Sequence, residues 1–283
     1  DNEDAQGRTS FGNLELMIGD GEHDAITSYY WDGRDVEVKL GAEGFDIDEY
    51  VTILKGTAED ATYDRGRLSI VFRGKEQLLD KPVQESLYTG AGGLNGGADL
   101  AGSPKPLLYG PVQNISPIAV DLDNLIYQVN DGPILSMGLV LDGGAALTNI
   151  GDVADIESTT VPPGYYRTQI SGGYFRLGAP TEKQLTCNVF GSSYGGYVDT
   201  ASGIIKKICL DHTDLTEADL NLPAFFTANL DARRSVCVIY ITSESVSEVI
   251  TELMQSVCGA WTFNSEGLLT QAVFRKRRAA GTI

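Results

Sequence analysis

Four prolines, at 104, 106, 111 and 117, follow a glycine-rich run, Gly90-Ala91-Gly92-Gly93-Leu94-Asn95-Gly96-Gly97, in the middle of the 283-residue chain. Each proline holds φ at about −65°, removes a backbone donor and pushes the preceding residue toward extended geometry, so no regular helix spans this stretch. The pattern predicts an ordered crossing between two β-rich halves rather than a catalytic loop.

The flanking sequence alternates apolar and polar residues. Leu14-Glu15-Leu16-Met17-Ile18, Val36–Leu40, Tyr50–Thr57 and Leu68–Arg73 read as strands joined by Asp/Gly turns such as Trp31-Asp32-Gly33-Arg34. With 33 glycines, 13 tyrosines and many short Val/Ile/Thr/Tyr runs, the composition favours antiparallel sheets, and 42% hydrophobic residues support a true core. The fold class expected is mainly β, a β-rich α+β protein. It has two small β-barrel or sandwich units, a loop-rich linker and two short amphipathic helices in the second half.

Three regions are expected: an N-terminal β domain over 1–89, a loop-rich linking region over 90–163, and a second β domain over 164–283. The linking region holds short strands near Leu108–Val112, Ile126–Val129 and Leu135–Leu141. In the second domain, Tyr174–Leu177 and Gln184–Gly191 suggest a hairpin. Thr200–Leu210 places Ile204, Ile205, Ile208 and Cys209 on one helical face. Ser245-Val246-Ser247-Glu248 is a capping box that opens a second helix, with Gly259 available for its terminal left-handed turn. Thr213–Asn221 suggests a short helix, Ser235–Thr242 an apolar strand, and Trp261–Phe274 a hairpin about Asn264-Ser265-Glu266-Gly267.

A formal net charge of −18 disfavours nucleic-acid binding. The basic run Arg275-Lys276-Arg277-Arg278 reads as a solvated strand end, with Lys206-Lys207 and Arg233-Arg234 as isolated pairs. Cys187, Cys209, Cys237 and Cys258 are too widely spaced for a zinc site and sit among apolar neighbours, which predicts buried free thiols. No run of eighteen apolar residues marks a membrane span and no leader is visible; the missing initial Met and the end at Gly281-Thr282-Ile283 suggest a piece of a longer protein, and processing explains the N-terminus equally well.

The search for chemistry returns few candidates. His23 and His212 are the only histidines, and neither has a recognisable nucleophile beside it; Gly191-Ser192-Ser193-Tyr194-Gly195 fails the Gly-x-Ser-x-Gly spacing. Asp20-Gly21-Glu22-His23-Asp24 reads as a polar turn rather than a cation site, and His212 as a surface or helix-end imidazole. Asp121–Ile126 begins like a calcium loop but has Ile126 where glycine is needed. Asp46, Asp48 and Glu49, or Asp121 and Asp123, are the carboxylates a glycosidase would recruit, although sequence proximity does not fix their spacing in space. Gly90–Gly97 lacks the Gly-Lys-Ser/Thr ending of a phosphate loop. The reading is therefore of no enzyme: no catalytic, cofactor-binding or metal-binding residue and no cofactor is assigned.

The order Lys105-Pro106-Leu107-Leu108-Tyr109-Gly110-Pro111-Val112, an acidic turn, then Ile126-Tyr127-Gln128-Val129-Asn130-Asp131-Gly132 resembles a segment of tail-tip or baseplate hub proteins of long-tailed bacteriophages and prophages. Tyr30–Val36, Leu78–Gln84 and Gly259-Ala260-Trp261-Thr262-Phe263 follow the same loose order. The resemblance implies tube-like β-barrel units around a central channel, commonly a trimer with pseudo-sixfold symmetry. It also implies contacts with other tail proteins, and a place in the virion tail after synthesis in the bacterial host cytoplasm. An acidic channel wall would keep passing DNA from sticking. From another class, the alternative is a carbohydrate-binding module or a cell-wall glycan hydrolase on a β-scaffold, with tyrosines and Trp31 or Trp261 as stacking faces.

Overall fold

A computed structural model describes residues 13–18, 25, 29–238 and 244–275. The fold is mainly β, a β-rich α+β protein; the described residues form three α-helices and four sheets, which are open rather than closed into barrels. The described residues cluster into two compact units. One takes residues up to Lys81, Thr213–Asp231 and those from Ile250 onward, and the other takes Pro82–His212 and Ala232–Val249.

In the first unit, β1 (Asn13–Met17), β2 (Asp35–Leu40), β3 (Val51–Asp64) and β4 (Arg67–Arg73) form an antiparallel sheet in the order β1-β4-β3-β2. All four strands lie where the alternation predicts them. Leu68, Ile70 and Phe72 are buried on one face of β4 and pack with Ile18 and Ala58, while Val71 between them points to solvent. That is the period-two pattern of a sheet with one wet face.

In the second unit, β5 (Pro111–Ile115), β6 (Ile118–Asp121), β7 (Ile126–Gln128), β8 (Ile134–Asp142), β9 (Ala145–Ala146), β10 (Thr148–Asp152), β11 (Tyr165–Gln169), β12 (Tyr174–Leu177) and β13 (Leu185–Ser192) build two sheets. Their orders are β10-β11-β12-β7-β6 and β5-β13-β8-β9. Tyr127, Tyr166, Phe175 and Leu177 of the first share one core with Val112, Ile134, Val140, Cys187 and Val189 of the second. Tyr127 stacks on Phe175 at 5.3 Å between ring centroids. Here one expectation is corrected: β12 and β13 are consecutive but not a hairpin. β12 pairs with β11 and β7, whereas β13 pairs with β5 and β8, because each strand's buried face completes a different sheet.

α1 (Ala201–His212) buries Ile204, Ile205, Ile208 and Cys209, as its spacing predicts. α3 (Val246–Ser256) opens on the expected capping box: Glu248 N donates to Ser245 Oγ at 3.3 Å, and Ser245 N donates to Glu248 Oε2 at 2.8 Å. Its left-handed terminal residue is Cys258, with φ 54°, and not Gly259. Gly259 instead starts β14 (Gly259–Phe263), where a Cβ would lie 2.7 Å from Ala272 O; the sequence needs glycine there for close approach. β15 (Leu269–Val273) completes the expected hairpin, and Asn264 Oδ1 accepts from Glu266 N and Leu268 N to set its turn.

The short helix expected within Thr213–Asn221 is a single 3-10 turn at Glu217–Asp219. α2 (Leu222–Asp231) was not anticipated; Asn221 caps it by accepting from Ala224 N at 3.3 Å. Of the apolar strand expected at Ser235–Thr242, the described part makes only isolated bridges at Ser235 and Val238, and residues 239–242 lie outside the described residues. No helix among the described residues is long and apolar enough to cross a membrane.

Candidate functional site

The segments 105–112 and 126–132 fold around a buried polar network in the second unit. Gln128, at the end of β7, and Asn130, two residues on, alternate onto the same side and are both fully buried. Gln128 Oε1 accepts from the Tyr88 hydroxyl at 2.5 Å, and Gln128 Nε2 donates to Asn130 O at 3.1 Å. Asn130 Oδ1 accepts from Leu108 N at 2.8 Å, and its Nδ2 donates to Gly132 O at 3.1 Å. Both carboxamides therefore use donor and acceptor sides, as buried amides must.

A second layer holds the proline segment. Asp131 N donates to Pro106 O at 2.6 Å, and Gln84 Nε2 donates to Lys105 O at 3.1 Å and Asp131 Oδ2 at 3.3 Å. Lys105 Nζ lies 3.8 Å from Asp131 Oδ1 and 5.9 Å from the centre of the Tyr88 ring. Burial, then Asp131 and Glu157, pushes the Tyr174 hydroxyl to about 12, so it keeps its proton at neutral pH.

Two glycines permit close approach. Gly173, at φ 72°, lies where a Cβ would come 2.3 Å from Asn130 O. Gly110, at φ 72°, lies where a Cβ would come 2.1 Å from Val236 O. Beside it, Tyr109 and Val238 exchange backbone hydrogen bonds at 3.1 and 3.0 Å. The Tyr109 hydroxyl reaches His212 Nε2 at 2.9 Å. Burial, with Asp211 adding, raises the Tyr109 hydroxyl above the ordinary phenol range; burial lowers His212, against Asp211 and Glu85 and with Lys207. The pair is a neutral phenol and a neutral imidazole at pH 7.

The other candidates lie elsewhere. Asp46 caps the 3-10 turn Ile47–Glu49, which contains Asp48 and Glu49, and Asp46 N donates to Glu49 Oε2 at 3.0 Å. Asp121 folds onto Asn124, accepting from its backbone N at 2.9 Å and its Nδ2 at 2.7 Å. Asp121 and Asp123 line a polar cleft with Asp99, Gly92, Gly93 and Gly97. Among the described residues no group of three or more His, Cys, Asp or Glu is arranged to hold a metal ion. His23 and the turn around it lie outside the described residues, as do Lys276, Arg277 and Arg278; Arg275 contacts Asp231.

The thiols divide into two pairs. Cys187 and Cys209 are buried and pushed up to about 12 by that burial, but Cys237 and Cys258 are exposed, which corrects the expectation of four buried thiols. Among the described residues the segment around Cys237 joins no sheet and makes isolated bridges at Ser235 and Val238, so local hydropathy does not report the burial of Cys237. Lys207 is the reverse case: it is buried, donates to Tyr194 O and pairs with Asp211 at 3.2 Å. Sequence reasoning missed Tyr88 and the Tyr109–His212 pair because the partners are 40 and 103 residues apart.

No protein-family model matches the chain, and no curated protein matches its sequence.

Proposed function

We propose that this chain is a structural component of a phage or prophage tail tip or baseplate hub, without catalytic activity. In this reading it self-assembles, with a trimer favoured, around a central channel and contacts tail-tube and distal tail proteins in the virion tail. The observation that carries this reading is an exposed apolar run on the β2–β3 hairpin. Leu40 and Val51 are cross-strand partners, and with Phe45, Ile47 and Ile53 they stand in solvent, Val51 at 69% and Ile47 at 68% exposure.

Five large apolar side chains on one hairpin form the kind of patch that marks a contact surface. Among the described residues β2 and β1 are the two edges of their sheet, and Leu16 and Met17 on β1 are also exposed. Association of identical copies would cover both the strand edges open among the described residues and the apolar side chains. The likeness of Lys105–Val112 and Ile126–Gly132 to hub proteins supports the same reading. Their buried network explains those residues as scaffold, since each polar group in it is spent on holding the crossing.

Negative-stain microscopy of the concentrated protein tests the proposal. Rings of threefold or sixfold symmetry with a central opening are the expected result; particles of single-chain size throughout would contradict it.

A further inference from the structure

α2 turns to solvent a face that carries no charged residue. Leu222, Phe226 and Leu230 recur every four residues, so they share one side of the helix, and all three are exposed, Phe226 at 66%. Pro223 and Thr227 are exposed beside them, and the Thr227 hydroxyl donates to Pro223 O at 2.9 Å, which spends that polar group within the helix. Phe225 and Ala228 make the buried side. Beyond β15, Arg275 contacts Asp231, the last residue of α2, so the exposed Phe274 stands at that end of the helix. A surface helix ordinarily points charged side chains outward, and an apolar outer face marks a contact surface.

We propose that this face takes the β2–β3 hairpin of a second copy of the chain, an inference that rests on the self-assembly proposed above. Copies around a threefold axis join through two different surfaces, because a patch that meets its own copy closes a pair instead. The first unit offers two. One is the α2 face; the other is the hairpin set Leu40, Phe45, Ile47, Val51 and Ile53, and both are exposed in the single chain, so neither covers the other.

Their rims carry opposite charge. Residues 41–50 of the hairpin hold Glu43, Asp46, Asp48 and Glu49, all exposed, and no cation. At the end of α2 the Arg275 side chain is largely exposed, and Lys276, Arg277 and Arg278 follow it in the sequence. An apolar centre with complementary charged rims is the anatomy of a specific interface. Two hairpins meeting each other would instead set like carboxylates together, which disfavours that pairing.

Two double variants test the joint: Phe45→Ser with Ile47→Ser on the hairpin, and Phe226→Gln with Leu230→Gln on α2. Light scattering is expected to give three or six chains for the wild-type protein and one chain for each double variant alone. Each variant spoils one half of the joint, so a mixture of the two regains one intact joint per pair. NMR of the isotope-labelled hairpin variant is expected to show saturable shifts at the Phe226, Thr227 and Leu230 amides when unlabelled α2 variant is added, and none when more hairpin variant is added. Should the two changes unfold α2, Phe274→Ser, outside the helix, takes their place with the same outcomes. With the wild type assembled, an α2 variant that keeps the wild-type mass, or a mixture without shifts, overturns the proposal and leaves the hub reading standing. A wild-type protein of single-chain mass throughout contradicts both.

Discussion

The Tyr88 hydroxyl donates to Gln128 Oε1 across 2.5 Å and 40 residues of chain, joining the segment before the glycine run to the strand that follows the prolines. Both side chains are buried, and Gln128 passes the connection on to Asn130 and so to Leu108. Residues of the segments 105–112 and 126–132 thus fix the path of the chain here.

Removing one member of this network should destabilise the second unit without changing its composition of strands. Asn130→Ala strands the Leu108 amide and opens a small cavity, for an expected loss of about 1–3 kcal/mol. Tyr88→Phe leaves Gln128 Oε1 unpaired and is expected to cost about as much. Urea midpoints with unchanged far-ultraviolet circular dichroism check both.

Gly110→Ala combines an unfavourable positive φ with a clash against Val236 O. The expected effect is a loss of about 1–3 kcal/mol in urea unfolding together with faster hydrogen exchange at Val238. Gly33→Ala serves as the control: it has a similar φ of 76° but open space around its Cβ, and is expected to lose less.

The capping box on α3 gives a separate test. Ser245→Ala removes the acceptor for Glu248 N and is expected to destabilise by about 0.5–2 kcal/mol, seen as a lower melting temperature.

The thiols should titrate in two classes. Cys237 and Cys258 are exposed and are expected to react with an aromatic disulfide reagent in the native protein at pH 8, whereas Cys187 and Cys209 react only in denaturant. Four fast thiols in the native state would contradict the burial of Cys187 and Cys209 in their cores.

Much of the fold could be read from local pattern. The first four strands show because one face of their sheet is buried and the other wet, and α1 and α3 show because their apolar residues fall on one helical stripe. α2 was hidden because its most conspicuous apolar residues, Leu222, Phe226 and Leu230, face solvent while Phe225 and Ala228 make its buried side. The false hairpin at β12 and β13 has a related cause: turn residues report that a strand ends, not which sheet its successor joins. For the candidate site, sequence marked Gln128, Asn130 and Gly110 by their order but gave no sign of their partners, which are set by tertiary packing.

Light scattering across a concentration series tests the central claim of self-assembly most directly. For a chain of 30.4 kDa the expected result is a mass that rises to three or six times that value and stays there, with Phe45→Ser and Ile47→Ser together returning it to one. A mass of one chain at every concentration would contradict the hub reading.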